Sequence, residues 1–330
     1  MPSLPPAVAE IRLAVRTALT SLPDGVTVIV ALSGGADSLA LAAATAFEAR
    51  SRGMQVLSAT IDHGLQDGSP DAAASAASKA ESLGIRARAE RVQVDAESDA
   101  GTEAAARDAR YAALRRIATD ERAAAVLLGH TLDDQAETVL LGLARGSGAA
   151  SLQGMAARRE DEDGTVWLRP MLGVRRVTTE AFCTASDLEP WHDPHNREHR
   201  FARVRVRESV MPVLESELGP GVAEALARTA EQLREDAEAF DEIIHETIED
   251  IVEHAEAGIS VSVPALAANP AALRNRIIRL VAHSEFGASL TRTQTLEVAR
   301  LVTDWSGQGP IDLPGCSAAR VDGRVVFTAR

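Results

Sequence analysis

Residues 26–39 read VTVIVALSGGADSL. The first seven are a short, uninterrupted apolar run rich in β-branched side chains, the pattern of a strand buried on both faces. Ser33-Gly34-Gly35-Ala36-Asp37-Ser38 follows at once, and residues 38–50 have helical composition. Two adjacent glycines between hydroxyl residues at a helix N-terminus make a backbone able to surround an anion, because the first-turn amides have no partner in the helix. A Walker loop would place a lysine here; this loop places Asp37. A carboxylate repels phosphates unless a divalent cation bridges the two, and magnesium, which prefers oxygen ligands, does so. The plainer alternative is a strand–helix turn with Asp37 capping the helix. No GxSxG elbow surrounds Ser33, which speaks against a serine nucleophile.

Beyond the loop, strand and helix patterns alternate. Strands are expected at 55–61, 86–94 and 124–128, and helices at 71–83, 102–118 and 133–145. This alternation predicts an α/β fold: a parallel, doubly wound sheet covered on both faces, with ligands held beyond the carboxyl ends of its strands. The glycine loop, Asp62-His63 and the segment from His130 to Asp134 all follow strand ends and should converge on one crevice. His63 and His130 suit loop packing as well as contact with a nucleotide, and their separation has no metal-ligand pattern. Residues 146–165 read as a polar, glycine-bearing loop, and 167–170 with 177–188 as a return to the first domain. From 215 the pattern is helical almost to 254, with further helices at 271–284 and 292–303 and a terminal hairpin formed by 311–315 and 324–327. The expected domains are 1–214 and a smaller, mainly helical 215–330.

The formal net charge of −14 argues against indiscriminate binding to nucleic acid or anionic membrane, yet leaves room for a local basic stripe. Residues 196–207 are that stripe: Arg203, Arg205 and Arg207 alternate with valines, an arrangement that a strand would put on one face and a helix would spread. Arg107 and Arg110 stand three apart on a helix and could reach phosphates or solvated acids, whereas Tyr111 suits the core. Two cysteines, Cys183 and Cys316, form no paired motif, so a reducing cytoplasmic setting is the simplest expectation. Pro5, Pro6, Glu10, Arg12 and Arg16 interrupt any signal peptide, and no apolar run spans a membrane.

The loop Ser33-Gly34-Gly35-Ala36-Asp37-Ser38 resembles the SGGxDS pyrophosphate loop of the N-type ATP pyrophosphatases, whose fold is adenine nucleotide α-hydrolase-like and Rossmann-like. Five further segments resemble tRNA(Ile)-lysidine synthetases, in family order across about residues 28–215: DHGL at Asp62, EAAARDARY at Glu103, GHTLDDQAET at Gly129 with RGSG at Arg145, RPML at Arg169, and PWHDPHN at Pro190 leading to RVRVR at Arg203. The resemblance implies splitting of ATP between its α and β phosphates, adenylation of the wobble cytidine of a tRNA(Ile) with a CAU anticodon, and attack by L-lysine. It implies ATP and Mg2+ as cofactors, with Asp37 on the metal and Ser33 to Ser38, Asp62, His63 and His130 around the nucleotide. It assigns Asp134, and less directly Glu137, to the lysine ammonium; the two stand three apart on one helical face. Without the family they read as an acidic pair serving the helix dipole. Arg107 is expected at the reaction centre, and Arg203, Arg205 and Arg207 near the tRNA. The resemblance leaves a homodimer open.

Gly101, Thr131, Val204 and Glu208 depart from the family pattern, which has asparagine, histidine, asparagine and histidine there. Three rival readings fit parts of the chain. A tRNA thiolase would need paired cysteines, an amidating enzyme for small molecules would not need the arginine stripe, and a non-catalytic tRNA-binding protein would not need Asp37 and Asp134.

Overall fold

The computed structural model describes residues 4–64, 68–93, 102–146, 148–191, 198–255 and 258–330. The chain divides into two compact units, Met1–Leu233 and Arg234–Arg330. The division falls inside a long helix, downstream of the expected boundary at 214.

In the first unit the elements run α1 (Pro6–Leu19), β1 (Thr27–Ala31), α2 (Ala36–Arg50), β2 (Gln55–Asp62), α3 (Ser69–Ser82), β3 (Arg86–Arg91), α4 (Thr102–Asp120), β4 (Ala125–Leu127), α5 (Leu132–Arg145), α6 (Ala149–Leu152), β5 (Arg158–Glu160), β6 (Val166–Leu168) and α7 (Arg176–Ala185). The strand order is β3-β2-β1-β4-β6-β5. All neighbours are parallel except β5, which pairs antiparallel with β6 and makes the sheet mixed. Strand β5 and the short α6 lie where the sequence suggested only loop. Their charged or small residues carry no period that would have marked them.

The apolar runs are continuous because the sheet is covered twice. Val28, Val30 and Leu168 pack with Leu39, Leu41, Met171 and Phe182 on one face. Ile29, Leu57, Val126 and Trp167 pack with Leu114 and Ile117 of α4 on the other. Tyr111 is in this second core, its ring 4.9 Å from that of Trp167. Helix α2 is buried on both sides, with α1 laid over it through Ile11, Val15 and Leu19. The charges that break a signal-peptide pattern there hold this packing: Arg12 and Arg16 both bond the buried Glu48 at 2.7 Å.

Strand order reverses between β1 and β4, so the loops leaving them diverge and open a crevice at that point. Beyond α7 the chain forms α8 (Ala202–Arg205), a π-helical turn (Val206–Val210) and α9 (Met211–Glu217), then α10 (Val222–Ile251). The arginine stripe is therefore helical.

The second unit has a short helix that the sequence reading did not place, α11 (Val263–Ala268), and the two expected ones, α12 (Ala271–Phe286) and α13 (Arg292–Thr303). It also carries an antiparallel sheet of β7 (Val252–Ala255), β8 (Gly258–Ser262), β9 (Ile311–Leu313), β10 (Cys316–Val321) and β11 (Arg324–Ala329), ordered β7-β8-β11-β10-β9. The terminal hairpin is β10–β11; residues 311–313 pair with β10 and not with 324–327. Helix α10 stops at Ile251, because Val252 and the residues after it pair with β8. Val261, Leu266, Ile277, Ile278, Leu301 and Phe327 form a separate core.

Candidate active site

A crevice of about 710 Å³ lies beyond the carboxyl ends of β1 and β4, within the range of small-molecule sites. The loop after β1, His63 after β2 and Gly129-His130 after β4 all line it. The convergence expected from strand ends is therefore observed. Gly34 is in the left-handed region, with φ of +85°, which side chains resist. Gly35 precedes α2 without a side-chain cap, so the first-turn amides face the crevice unclaimed by a capping group. Ser38 ties the loop down: its hydroxyl donates to the Gly35 carbonyl at 3.0 Å and accepts from the Ser33 amide at 3.2 Å. Gly129 passes so close to this turn that a Cβ there would sit 3.2 Å from backbone atoms of Asp37 and Ser38.

Asp37 lines the crevice and accepts a hydrogen bond from the Thr179 hydroxyl. Burial raises its pKa above the usual carboxylate value, against the pull of Thr179 and Arg176. No group of three or more His, Cys, Asp or Glu side chains among the described residues could hold a metal ion. Asp37, a carboxylate in the crevice wall, is an oxygen donor of the kind magnesium takes alongside a substrate's own phosphates. A cation beside Asp37 would also offset the cost of burying its charge.

Asp134 is at the N-terminus of α5, where Thr131 and Asp134 form a reciprocal capping box. Its Oδ2 accepts from the Thr131 amide at 2.8 Å and hydroxyl at 3.0 Å. Its Oδ1 faces Arg176 at 2.9 Å and Arg207 at 3.4 Å. Burial alone would raise its pKa, but Arg176, the Thr131 amide and further positive neighbours outweigh it and hold Asp134 ionised. Glu137, only 1% exposed, is gripped by the Arg207 fork at 2.7 and 3.0 Å and approached by Arg176 at 3.3 Å. Asp134 is in the crevice wall; Glu137 is in a smaller neighbouring cavity, so the pair does not present one face to one ligand.

Arg176 is the residue that sequence reading missed. It opens α7, donates its backbone amide to Asp133 at 2.7 Å, and reaches Asp37 at 3.5 Å as well as Asp134 and Glu137. Burial opposes its charge, but Asp134, Glu137, Asp37 and Asp133 together raise its pKa above the ordinary arginine value. Its one sequence signal is its position just after the RPML segment; pairing across 42 residues has no local pattern.

The other expected residues fall on both sides of the crevice wall. Asp62 is buried beneath it and accepts from the Gly64 amide at 2.9 Å, a turn-forming role. Arg107 is exposed and donates to the Tyr111 hydroxyl at 3.3 Å, while Arg110 lines the crevice with its Nε buried and unbonded. His130 also buries an unbonded Nδ1; burial first, then Arg169, Arg110 and Arg107, push its pKa down to about 3 despite Asp134. It is a neutral imidazole at physiological pH. Arg203 and Arg207, four apart, turn inward, Arg203 donating to Thr138 at 2.9 Å. Arg205 points away and bonds the carbonyls of His199 and Arg200. Cys183 is in the wall as a thiol, its pKa pushed up to about 11 by burial and by Asp37. Most of the PWHDPHN segment and Gly101 lie outside the described residues.

Residues 11–214 match the PP-loop domain family, and residues 262–326 match the TilS substrate binding domain. A tRNA(Ile)-lysidine synthase of Leifsonia xyli subsp. xyli is 56% identical over 93% of this chain and 91% of its own. Another, from Thermobifida fusca, is 47% identical over 98% of both chains. The chain belongs to the tRNA(Ile)-lysidine synthase family. Among solved structures, a U34-tRNA thiolase of Methanococcus maripaludis with its [4Fe-4S] cluster aligns with a TM-score of 0.61 at 20% identity, covering 69% of this chain and 80% of that one. That likeness shows a shared fold. In this lysidine synthase family member, the departure at Thr131 supplies the helix cap that fixes Asp134, Val204 is buried, and Glu208 faces solvent.

Proposed function

We propose that this chain joins L-lysine to C2 of the wobble cytidine in a tRNA(Ile) with a CAU anticodon, using ATP. The cytidine C2 oxygen attacks the α-phosphorus and pyrophosphate leaves; the lysine ε-amine then attacks C2 and AMP leaves. The observation that carries this reading is the meeting of Asp37 and Asp134 in one crevice, with Arg176 between them at 3.5 and 2.9 Å. One carboxylate stands at the glycine loop, and the other is held ionised in the crevice wall.

The roles follow from position. The first amides of α2, with Ser33 and Gly35, hold the phosphates. Mg2+ would be held by Asp37 and by phosphate oxygens, and would neutralise charge on the departing pyrophosphate. Arg110, unbonded at Nε and facing the crevice, fits the phosphate role better than the exposed Arg107. His130, kept neutral, can offer one N–H and one lone pair to a base or ribose. Asp134 takes the lysine ammonium, while Glu137 holds the surrounding arginines. Residues 1–214 form the catalytic domain and 215–330 the tRNA-binding one. The enzyme works in the cytoplasm, where its RNA substrate is; no helix among the described residues is long and apolar enough to cross a membrane.

The test is incubation of the protein with ATP, magnesium, labelled lysine and the CAU-bearing isoleucine tRNA. Lysine should appear in the RNA with AMP as the nucleotide product. Pyrophosphate release that ignores tRNA would favour an amidating enzyme, and ADP with orthophosphate would exclude α–β cleavage. Asp37→Asn should abolish both half-reactions, whereas Asp134→Asn should spare adenylation and raise the lysine KM.

A further inference from the structure

Every carboxylate oxygen of Asp134 and Glu137 is already occupied. Asp134 Oδ2 belongs to the Thr131 cap, and Oδ1 to Arg176 and Arg207. Both oxygens of Glu137 are held by the Arg207 fork, and Oε1 also by Arg176. The ion pairs form one cluster, in which Asp37, Asp133, Asp134, Glu137 and Glu224 face Arg175, Arg176, Arg203 and Arg207. At Asp134 or Glu137 an incoming ammonium would meet guanidinium groups and oxygens that already have partners. A cation that takes one of these oxygens at close range displaces the guanidinium held there most loosely.

We propose that the substrate ammonium replaces Arg207 at Asp134, and that the released Arg207 pairs with an RNA phosphate, so that lysine and tRNA strengthen each other's binding. This rests on the assignment of Asp134 to lysine made above. Arg207 is the arginine built to leave. Its contact with Asp134, 3.4 Å, is longer than that of Arg176, and it is carried on the π-helical turn Val206–Val210. Such turns are frequent at functional sites, where one irregular hydrogen-bonded turn re-aims a side chain. Arg176, by contrast, spans three acids and is fixed at its backbone by Asp133. When Arg207 leaves, Glu137 is not stranded: Arg176 stays at 3.3 Å, and Arg203, with Nε 3.9 Å from Oε2, is placed to close in. The released guanidinium joins the exposed Arg200 and Arg205 of the basic stretch, and its planar fork suits phosphate.

The exchange is read as reciprocal linkage between two ligands. Labelled lysine affinity is measured by equilibrium dialysis with and without tRNA, and tRNA affinity by filter binding with and without lysine. In the wild-type enzyme each ligand should tighten the other by about fivefold or more. In Arg207→Gln the resident cation is gone, so lysine should bind as tightly or more tightly, tRNA more weakly, and the linkage factor should fall to one. Arg205→Gln should weaken tRNA and keep the factor. Should the glutamine variant not fold, Arg207→Lys retains the charge but loses the fork on Glu137, and the factor should drop below that of wild type. No linkage in wild type, full linkage in either Arg207 variant, or loss of linkage only in Arg176→Gln would each overturn the exchange. Asp134→Asn separates this failure from that of the parent reading. If lysine affinity survives in Asp134→Asn, the lysine assignment itself is wrong. If it is lost there while linkage persists without Arg207, only the exchange is wrong.

Discussion

Asp134 divides its oxygens between the Thr131 cap and the arginines, and the two can be tested separately. Oδ2 completes the capping box with Thr131, which is fully buried. Thr131→Ala should cost about 1 kcal/mol of stability by loss of the cap. It should also raise the lysine KM, because the carboxylate is no longer held in register; denaturant melts and steady-state kinetics read the two effects separately. Glu137 differs, since its partners are arginines and it is sealed from the crevice. Glu137→Gln takes a buried carboxylate from half-buried arginines that keep Asp134, and should destabilise the fold by less than about 3–5 kcal/mol, the range for a fully buried pair broken from one side. A Glu137→Gln enzyme with wild-type stability and a raised lysine KM would restore the direct role that its spacing from Asp134 suggests.

Between elements, the contacts that place the site are ionic as well as apolar. Helix α1 is pinned to α2 by Arg12 and Arg16 on Glu48, near the end of α2 away from the glycine turn. Burial works to raise the Glu48 pKa, but the hydrogen bonds from Arg16 and Arg12 outweigh it and leave it depressed. A carboxylate depressed in the folded state contributes stability above its unfolded pKa, about 4.3, and loses it as pH falls through the lower folded value. The wild-type protein should therefore lose part of its stability below about pH 4, and Glu48→Gln should lack that part of the acid limb in pH-dependent melts. An unchanged acid limb would show that the pair is solvated. The run Arg203 to Arg207 makes a related point at the same scale. In the helix, Arg203 and Arg207 share the face toward Glu137 and Arg205 takes the other, so the stripe has an inner and an outer role.

At the scale of the molecule, an acidic chain must bind an acidic polymer, and local clustering of cations is the way to do so. The second unit offers one such cluster on its own surface. Arg279 has its pKa lowered by burial and by the neighbouring charges of Arg276 and Arg292, a sign of cations crowded together. Arg279→Ala should weaken tRNA binding across sequences and reduce the slope of log affinity against log salt by about one. A salt slope equal to that of wild type would remove Arg279 from the RNA surface. The second unit also has a core of its own, and Ile278→Ala there should cost about 2–5 kcal/mol, read by proteolysis of that unit.

The strand–loop–helix of residues 26–50, the alternation behind it and the convergence of strand ends were legible because their causes are local. They rest on apolar period, glycine at a positive φ, and acids at helical spacing. Strand β10 was not legible, since Ser317, Ala318 and Ala319 have little intrinsic preference for a strand and are held by partners on both sides. The amino-acid sequence by itself determined an anion-binding turn bearing a carboxylate, an α/β sheet around it, and membership of a lysine-ligating family. Only the tertiary structure decided that Arg176 and Arg207 fill the acid pair, that Arg110 and not Arg107 faces the crevice, and that Asp134 and Glu137 part company. Those choices depend on side chains brought together from 39 to 73 residues apart, and charge pairing at that range follows the packing of the chain, not its local order.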